Sequence, residues 1–175
     1  KEYQQARRRG QKLAQNNFVV LTGGGPGIME AANRGAAEAN GKSLGITLEF
    51  PNIEQDNDYM QKSVSLHYLF VRKVILAHAA QAYVFFPGGF GTLDEFFEIS
   101  TLISTRRLHQ KIPVILVGRS FWQSLKNWLE KVPMKRYQTI VKEQFSFWQI
   151  VADEKEAFQI IAETSPHPAP RHDSV

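Results

Sequence analysis

Residues 87–95 read Pro-Gly-Gly-Phe-Gly-Thr-Leu-Asp-Glu and follow the apolar run Tyr83-Val84-Phe85-Phe86. A buried strand that passes through a glycine-rich turn into a helix presents backbone N–H groups where no side chain holds an anion off. The helix expected from Thr92 points its positive end at the same spot, an arrangement that holds phosphate without a lysine-rich loop. Glu95 stands apart from that logic. Binding phosphate calls for no carboxylate nearby, whereas a reaction on a phosphate-bearing ligand does. An acid beside a helix N-terminus is expected to stay ionised, which suits stabilising a cation or activating water better than donating a proton. Asp94 and Glu98 share the same first turns. Their simpler role is to complement the helix dipole, worth about 0.3–1 kcal/mol each, which accounts for one acid more readily than for three.

A second glycine loop, Gly23-Gly24-Gly25-Pro26-Gly27, follows the apolar run Phe18-Val19-Val20-Leu21 and also opens a helical pattern. Alone, either loop is what any tight strand–helix turn uses. Two of them at the carboxyl edge of one parallel sheet mark the crevice where such sheets bind ligands. Neither carries the Gly-Lys-Ser/Thr ending of an ATP-binding loop. The third glycine of a dinucleotide fingerprint is replaced by Glu30 after the first loop and by Asp94 after the second. ATP hydrolysis and nicotinamide redox chemistry are therefore disfavoured. Arg72 and Lys73 form an adjacent cationic pair in the otherwise apolar stretch Phe70 to Ala80. From spacing alone they either snorkel from a buried helix or face a ligand, where an arginine fork holds phosphate or ribose at two points.

Strand-like runs alternate with helical patterns, which predicts an α/β fold: a Rossmann-like open parallel sheet with helices on both faces. Helices are expected over 2–15, 28–40, 69–80, 92–108, 121–131 and 153–163, with strands at 18–21, 43–48, 82–86, 113–117 and 147–151. Residues 50–62 read as a long polar loop of the functional kind. A sheet of this type usually opens with a strand, and this sequence opens at Lys1 inside a helix-like stretch, so the first strand is expected to be missing from the chain. For the same reason the lack of a visible signal peptide carries little weight. Residues 1–164 are read as a single nucleotide-binding domain and the Pro-rich 165–175 as a disordered tail.

The 175 residues contain no cysteine, which excludes disulfides, thiolate zinc sites and a cysteine nucleophile, and makes a cytoplasmic setting the default. No apolar run approaches the roughly 20 residues that span a bilayer. The net charge of +4 is modest, and Arg7-Arg8-Arg9 reads as a solvated helix face, so neither nucleic acid nor membrane is an expected partner. The five histidines lack metal-ligand spacing, and His78 is expected to pack within its helix.

The segment Thr22 to Ala36 (Thr-Gly-Gly-Gly-Pro-Gly-Ile-Met-Glu-Ala-Ala-Asn-Arg-Gly-Ala), the Arg72-Lys73 pair and the Pro87 to Glu95 loop together resemble the Lonely Guy family, nucleoside 5′-monophosphate phosphoribohydrolases long mislabelled as lysine decarboxylases. The likeness runs from about residue 3 to about residue 163, and Pro-Gly-Gly-x-Gly-Thr-x-x-Glu is a specific pattern. The resemblance implies cleavage of the N-glycosidic bond of purine nucleotides, cytokinin nucleotides included, to free base and ribose 5-phosphate. It implies no metal or organic cofactor, and a homodimer or larger homo-oligomer. By position, Arg72 and Glu95 correspond to the family's essential pair, and Gly88, Gly89, Gly91 and Thr92 to its phosphate loop. Gly24 and Gly25 of the first loop join the substrate-binding set. Met29, Glu54, Lys73 and Thr101 correspond to positions lining the pocket. Two other readings stand beside this one: a nucleotide or molybdenum-cofactor carrier of the same fold, and a pyridoxal-phosphate decarboxylase using Lys73.

Overall fold

The computed structural model describes residues 2–49, 56–109, 111–145, 147–152 and 154–163, with 154 and 155 described for backbone only. In chain order the elements are α1 (Glu2–Gln15), β1 (Val20–Thr22), α2 (Ile28–Glu38), β2 (Ser43–Leu48), β3 (Lys62–Leu66), α3 (Leu69–Ala79), β4 (Tyr83–Phe85), α4 (Phe90–Ser104), β5 (Val114–Val117), α5 (Arg119–Leu129), β6 (Trp148–Val151) and α6 (Glu154–Ala162). The polar segment 50–55 and the tail lie outside the described residues.

Among the described residues every strand pairing is parallel, and the protein is an α/β fold of parallel sheets flanked by helices. Among the described residues the strands fall into two hydrogen-bonded triplets, β1-β2-β3 and β4-β5-β6. Val20 stands opposite Ser43 and Leu44 opposite Lys62; Val114 stands between Tyr83 and Trp148. Side chains alternate across a strand, so a sheet covered on both faces needs unbroken apolar runs. Val114-Ile115-Leu116-Val117 shows this. Val114 and Leu116 pack with Phe85, Phe96, Ile103 and Trp122, while Ile115 and Val117 pack with Phe86, Val151, Ala157 and Ile161. Ala6 of α1 and Ala31 of α2 join the second group, which holds the first two helices onto this triplet.

α1 and α2 meet at a seam of glycines. A methyl added at Gly10 would stand 2.0 Å from the Ala32 carbonyl oxygen, and one added at Gly35 would stand 1.8 Å from that of Arg7. Only bare backbone allows this approach. The seam also corrects the reading of the arginine triplet: Arg9 is buried, its guanidinium 5.7 Å from the centre of the Phe86 ring, and Arg7 pairs with Glu38 at 2.7 Å.

Strand β3 falls where no strand was expected, because Lys62-Ser63-Val64-Ser65-Leu66 is nearly all exposed and lacks an apolar run. α4 begins at Phe90 instead of Thr92, capped by Gly89, and stops at Ser104 because Arg106 enters the left-handed region (φ 60°). α5 continues as a π-helical stretch, Glu130–Arg136, which accommodates Pro133 without the ordinary helical hydrogen bond that proline cannot donate. His78 is exposed instead of packed, its Nδ1 3.0 Å from the Val74 carbonyl oxygen. No described helix is long and apolar enough to cross a membrane.

Candidate active site

The two glycine loops follow β1 and β4, at the carboxyl ends of their strands. In the second, Gly88 is required by the protein itself, since a Cβ there would lie 2.2 Å from Thr92 Oγ1. Gly89 and Gly91 are different. A Cβ on either would meet nothing within 4 Å, and neither has a positive φ. The fold itself makes no demand for glycine at these two positions. Bare backbone at the head of a 15-residue helix lets an anion reach the first N–H groups.

The first loop is held by buried amides. Gly24 (φ 79°) turns the chain, and its N–H donates to Thr22 Oγ1 at 3.0 Å. Thr22 Oγ1 donates to Asn33 Oδ1 at 2.6 Å, and Asn33 Nδ2 donates to Ser43 Oγ and to the Leu44 carbonyl. Asn57 Nδ2 donates to the carbonyls of Gly24 and Gly25 and to Asn33 Oδ1, at 2.9, 3.3 and 3.1 Å. Neither asparagine was singled out from the sequence. The available signal was an Asn within the alanine-rich 28–40 helix, where a polar residue on the buried face needs partners.

Arg72, in the first turns of α3, packs on the first loop and acts on α4. A methyl on Gly23 would come within 3.6 Å of Arg72 Nη1 and 3.0 Å of Met29 Sδ, so the guanidinium and the thioether both pack on the first loop. Arg72 Nε is buried and has no hydrogen-bond partner among the described residues. On the other side Arg72 acts electrostatically on Glu95, the sixth residue of α4. The structure thus packs Met29 and Arg72 on Gly23 of the first loop, with Arg72 near enough to Glu95 of α4 to pull its pKa down.

Glu95 corrects an expectation. The early start of α4 puts it beyond the first turn, where the dipole's effect has fallen off. Burial pushes its pKa above the ordinary carboxylate value. Arg72 and Lys73 pull it down, and Glu98 and Asp94 add to the rise. A half-buried carboxyl lifted in this way exchanges a proton at higher pH than an exposed one, which suits general acid–base work as well as charge stabilisation.

Lys73 sits one residue further along α3, its ammonium donating to both carboxylate oxygens of Asp94 at 2.8 Å and lying 3.4 Å from Glu98 Oε2. The hydrogen bond to Asp94 is the main cause that raises its pKa. Thr101 lies on the same stripe of α4 as Asp94 and Glu98, nearly two turns beyond Glu95, exposed and donating to the Phe97 carbonyl at 2.7 Å. Glu54 lies outside the described residues.

A family profile described as "Possible lysine decarboxylase" matches residues 29–161, well over half of the chain. A pyrimidine/purine nucleotide 5′-monophosphate nucleosidase of Escherichia coli (strain K12) is 31% identical over 126 residues, covering 67% of this chain and 28% of that protein. The chain thus spans under a third of that relative's length. A cytokinin riboside 5′-monophosphate phosphoribohydrolase of Rhodococcoides fascians is 28% identical, covering 74% of this chain and 67% of that protein. Among solved structures, a molybdenum cofactor binding protein of Rippkaea orientalis superposes with a TM-score of 0.70 at 22% identity, covering 92% of this chain and 86% of that one. The molybdenum cofactor carrier protein of Chlamydomonas reinhardtii gives 0.62 at 23%, covering 93% and 89%. These two establish a shared fold. The matched span, together with the glycine loops and the Arg72–Glu95 neighbourhood inside or beside it, leads to one conclusion: the chain belongs to the Lonely Guy family, the group that the lysine decarboxylase description labels.

Proposed function

We propose that this chain hydrolyses the N-glycosidic bond of purine nucleoside 5′-monophosphates, releasing free base and ribose 5-phosphate. The observation that carries the reading is the convergence of Arg72 and a half-buried Glu95 beside glycines that the fold itself does not require. Two relatives named for this chemistry, at 28 and 31% identity, support it. In this reading Gly88, Gly89, Gly91 and Thr92 hold the 5′-phosphate at the head of α4, and Arg72 fixes the ribose phosphate from α3. Gly24, Gly25 and Met29 form the facing wall.

As the bond between C1′ and the base nitrogen breaks, positive charge develops on the sugar, as in other glycoside hydrolyses. Ionised Glu95 stabilises that charge or takes a proton from the attacking water. The water oxygen bonds to C1′, the bonding pair leaves with the base, and the proton that the water gives up ends on the base nitrogen. Holding the reactants in this geometry lowers the barrier by up to ~7–11 kcal/mol. A cytoplasmic setting goes with such a substrate.

The decarboxylase description fits the residues poorly. A Schiff-base lysine must lose its proton readily, whereas the Lys73 ammonium is held by Asp94 and Glu98 with its pKa raised. Exposed apolar side chains on neighbouring helices, Leu69, Phe70 and Val74 of α3 and Phe97 of α4, support a homodimer through this surface. Light scattering at twice the 19.9 kDa chain mass is the result expected of it.

The deciding experiment incubates the protein with AMP, prenylated AMP and a pyrimidine monophosphate, and follows free base by chromatography. Base release from the purine substrates is the expected result. Tight AMP binding with no base released would leave a carrier instead.

A further inference from the structure

We propose that Lys73 is a positioning residue: through Asp94 and Glu98 it clamps α3 to α4 and so sets where Arg72 stands relative to Glu95. This rests on the hydrolase reading above. Arg72 and Lys73 are neighbours on α3, and Asp94 and Glu95 are neighbours on α4. The clamp and the reactive pair are therefore the same two helix turns, viewed one residue apart. Each helix carries one member of each couple.

The clamp has the geometry of a fixed joint. The ammonium donates to both oxygens of one carboxylate at 2.8 Å and approaches the second at 3.4 Å. The lysine is 20% exposed and Glu98 25%, while Asp94 stands 53% exposed, so salt screens its arm of the clamp more than the Glu98 arm. Arg72 and Glu95, by contrast, are not joined by an ion pair among the described residues, so nothing in their own contact fixes their separation. Four groups face Glu95: Arg72 and Lys73 from α3, and Asp94 and Glu98 from its own helix. Lys73 pairs with the latter two and offsets part of their charge. Without it, two uncompensated carboxylates flank the acid.

The ammonium's engagement also separates this role from direct ligand binding. A lysine that holds substrate is improved or left unchanged when its carboxylate competitor is removed, and a clamp is broken from either end.

The test is a set of variants, Lys73→Met, Asp94→Asn, the double variant and Lys73→Arg, measured for base release from AMP. Small displacements of a positioned group cost up to about a hundredfold in rate. Lys73→Met and Asp94→Asn should each lower kcat by ~10-fold or more with KM within ~3-fold. The double variant should lose no more than the worse single one, because both break the same joint. Lys73→Arg should restore most of kcat. A raised KM with unchanged kcat in Lys73→Met, or an unaffected Asp94→Asn, would overturn the proposal and make Lys73 a ligand contact. An independent readout is the titration of the Glu95 carboxyl by carbon-13 NMR, which should move to higher pH in Lys73→Met. If the unaltered protein releases no base, the hydrolase reading falls by itself. The titration still decides the coupling, and an unmoved midpoint refutes it.

Discussion

Gly91→Ala separates what the protein needs from what its ligand needs. Gly91 is the second residue of α4, its φ is not positive, and a Cβ built on it has no neighbour within 4 Å. For the protein alone the substitution is therefore favourable. Alanine loses less chain entropy on folding, a gain of about 0.4–1 kcal/mol, or about 1–4 °C in Tm for a chain of this size. For a phosphate resting on the N–H groups, at the usual donor–acceptor distance of about 2.9 Å, a new methyl group intrudes directly. A tenfold loss of affinity, ~1.4 kcal/mol, is the least this should cost. The assay is a thermal melt with and without AMP. At a concentration one hundred times the dissociation constant, the unaltered protein gains ~2.7 kcal/mol from its ligand, and the variant at the same concentration gains ~1.4 or less. The variant should thus melt higher than the parent when free and gain less when AMP is added. A lower free Tm would refute the packing argument. An undiminished AMP gain would remove the anion from the head of α4.

Glu95→Gln should leave AMP binding nearly intact and reduce turnover by ~100-fold or more, at least ~2.7 kcal/mol of barrier. It should also stabilise the fold near neutral pH. With Glu95's pKa raised by burial, the folded protein holds that proton more tightly than the unfolded chain. The folded state is relatively favoured below the unfolded value of about 4.3 and loses the advantage as pH rises through the folded value. The Tm gain of the glutamine variant should therefore appear at neutral pH and fade below about pH 4. In the parent, a basic role for Glu95 makes kcat/KM rise with pH above the ordinary carboxylate range, which a pH–rate profile checks. Asn33→Ala should cost about 2–3 kcal/mol, since it strips partners from buried Ser43 and from Thr22 and Asn57. Chemical denaturation measures that loss, and KM for AMP should rise with it because Asn57 and Thr22 brace the first glycine loop.

The sequence pointed to both glycine loops, to Arg72 and to Glu95, because glycine at a strand end and charge in an apolar helix are local signals. Long apolar runs such as Val114-Ile115-Leu116-Val117 gave the second triplet's core directly. What was hidden depended on distant partners. β3 has no apolar run, since it lies exposed and is specified by pairing with β2. Arg9 reads from the sequence as part of a solvated face, because Phe86 and the glycine seam that bury it come from distant segments. The protonation behaviour of Glu95 follows first from its burial, which the spacing of glycines and acids along the chain does not reveal. Asn33 and Asn57, 24 positions apart, bond to each other, and spacing along a chain carries no trace of that. Lys73 offered a charge but not its partners.

The backbone-to-backbone contact of α1 with α2 has a consequence for how this protein tolerates change. α2 bears the first glycine loop at its head, and its far side is welded to α1 at Gly10 and Gly35, where no atom of clearance remains. The two helices therefore travel as one plank. Sequence drift at the seam would tip that plank and be felt as a displaced loop rather than as a looser core. Selection for binding should accordingly be written into positions that never touch the ligand.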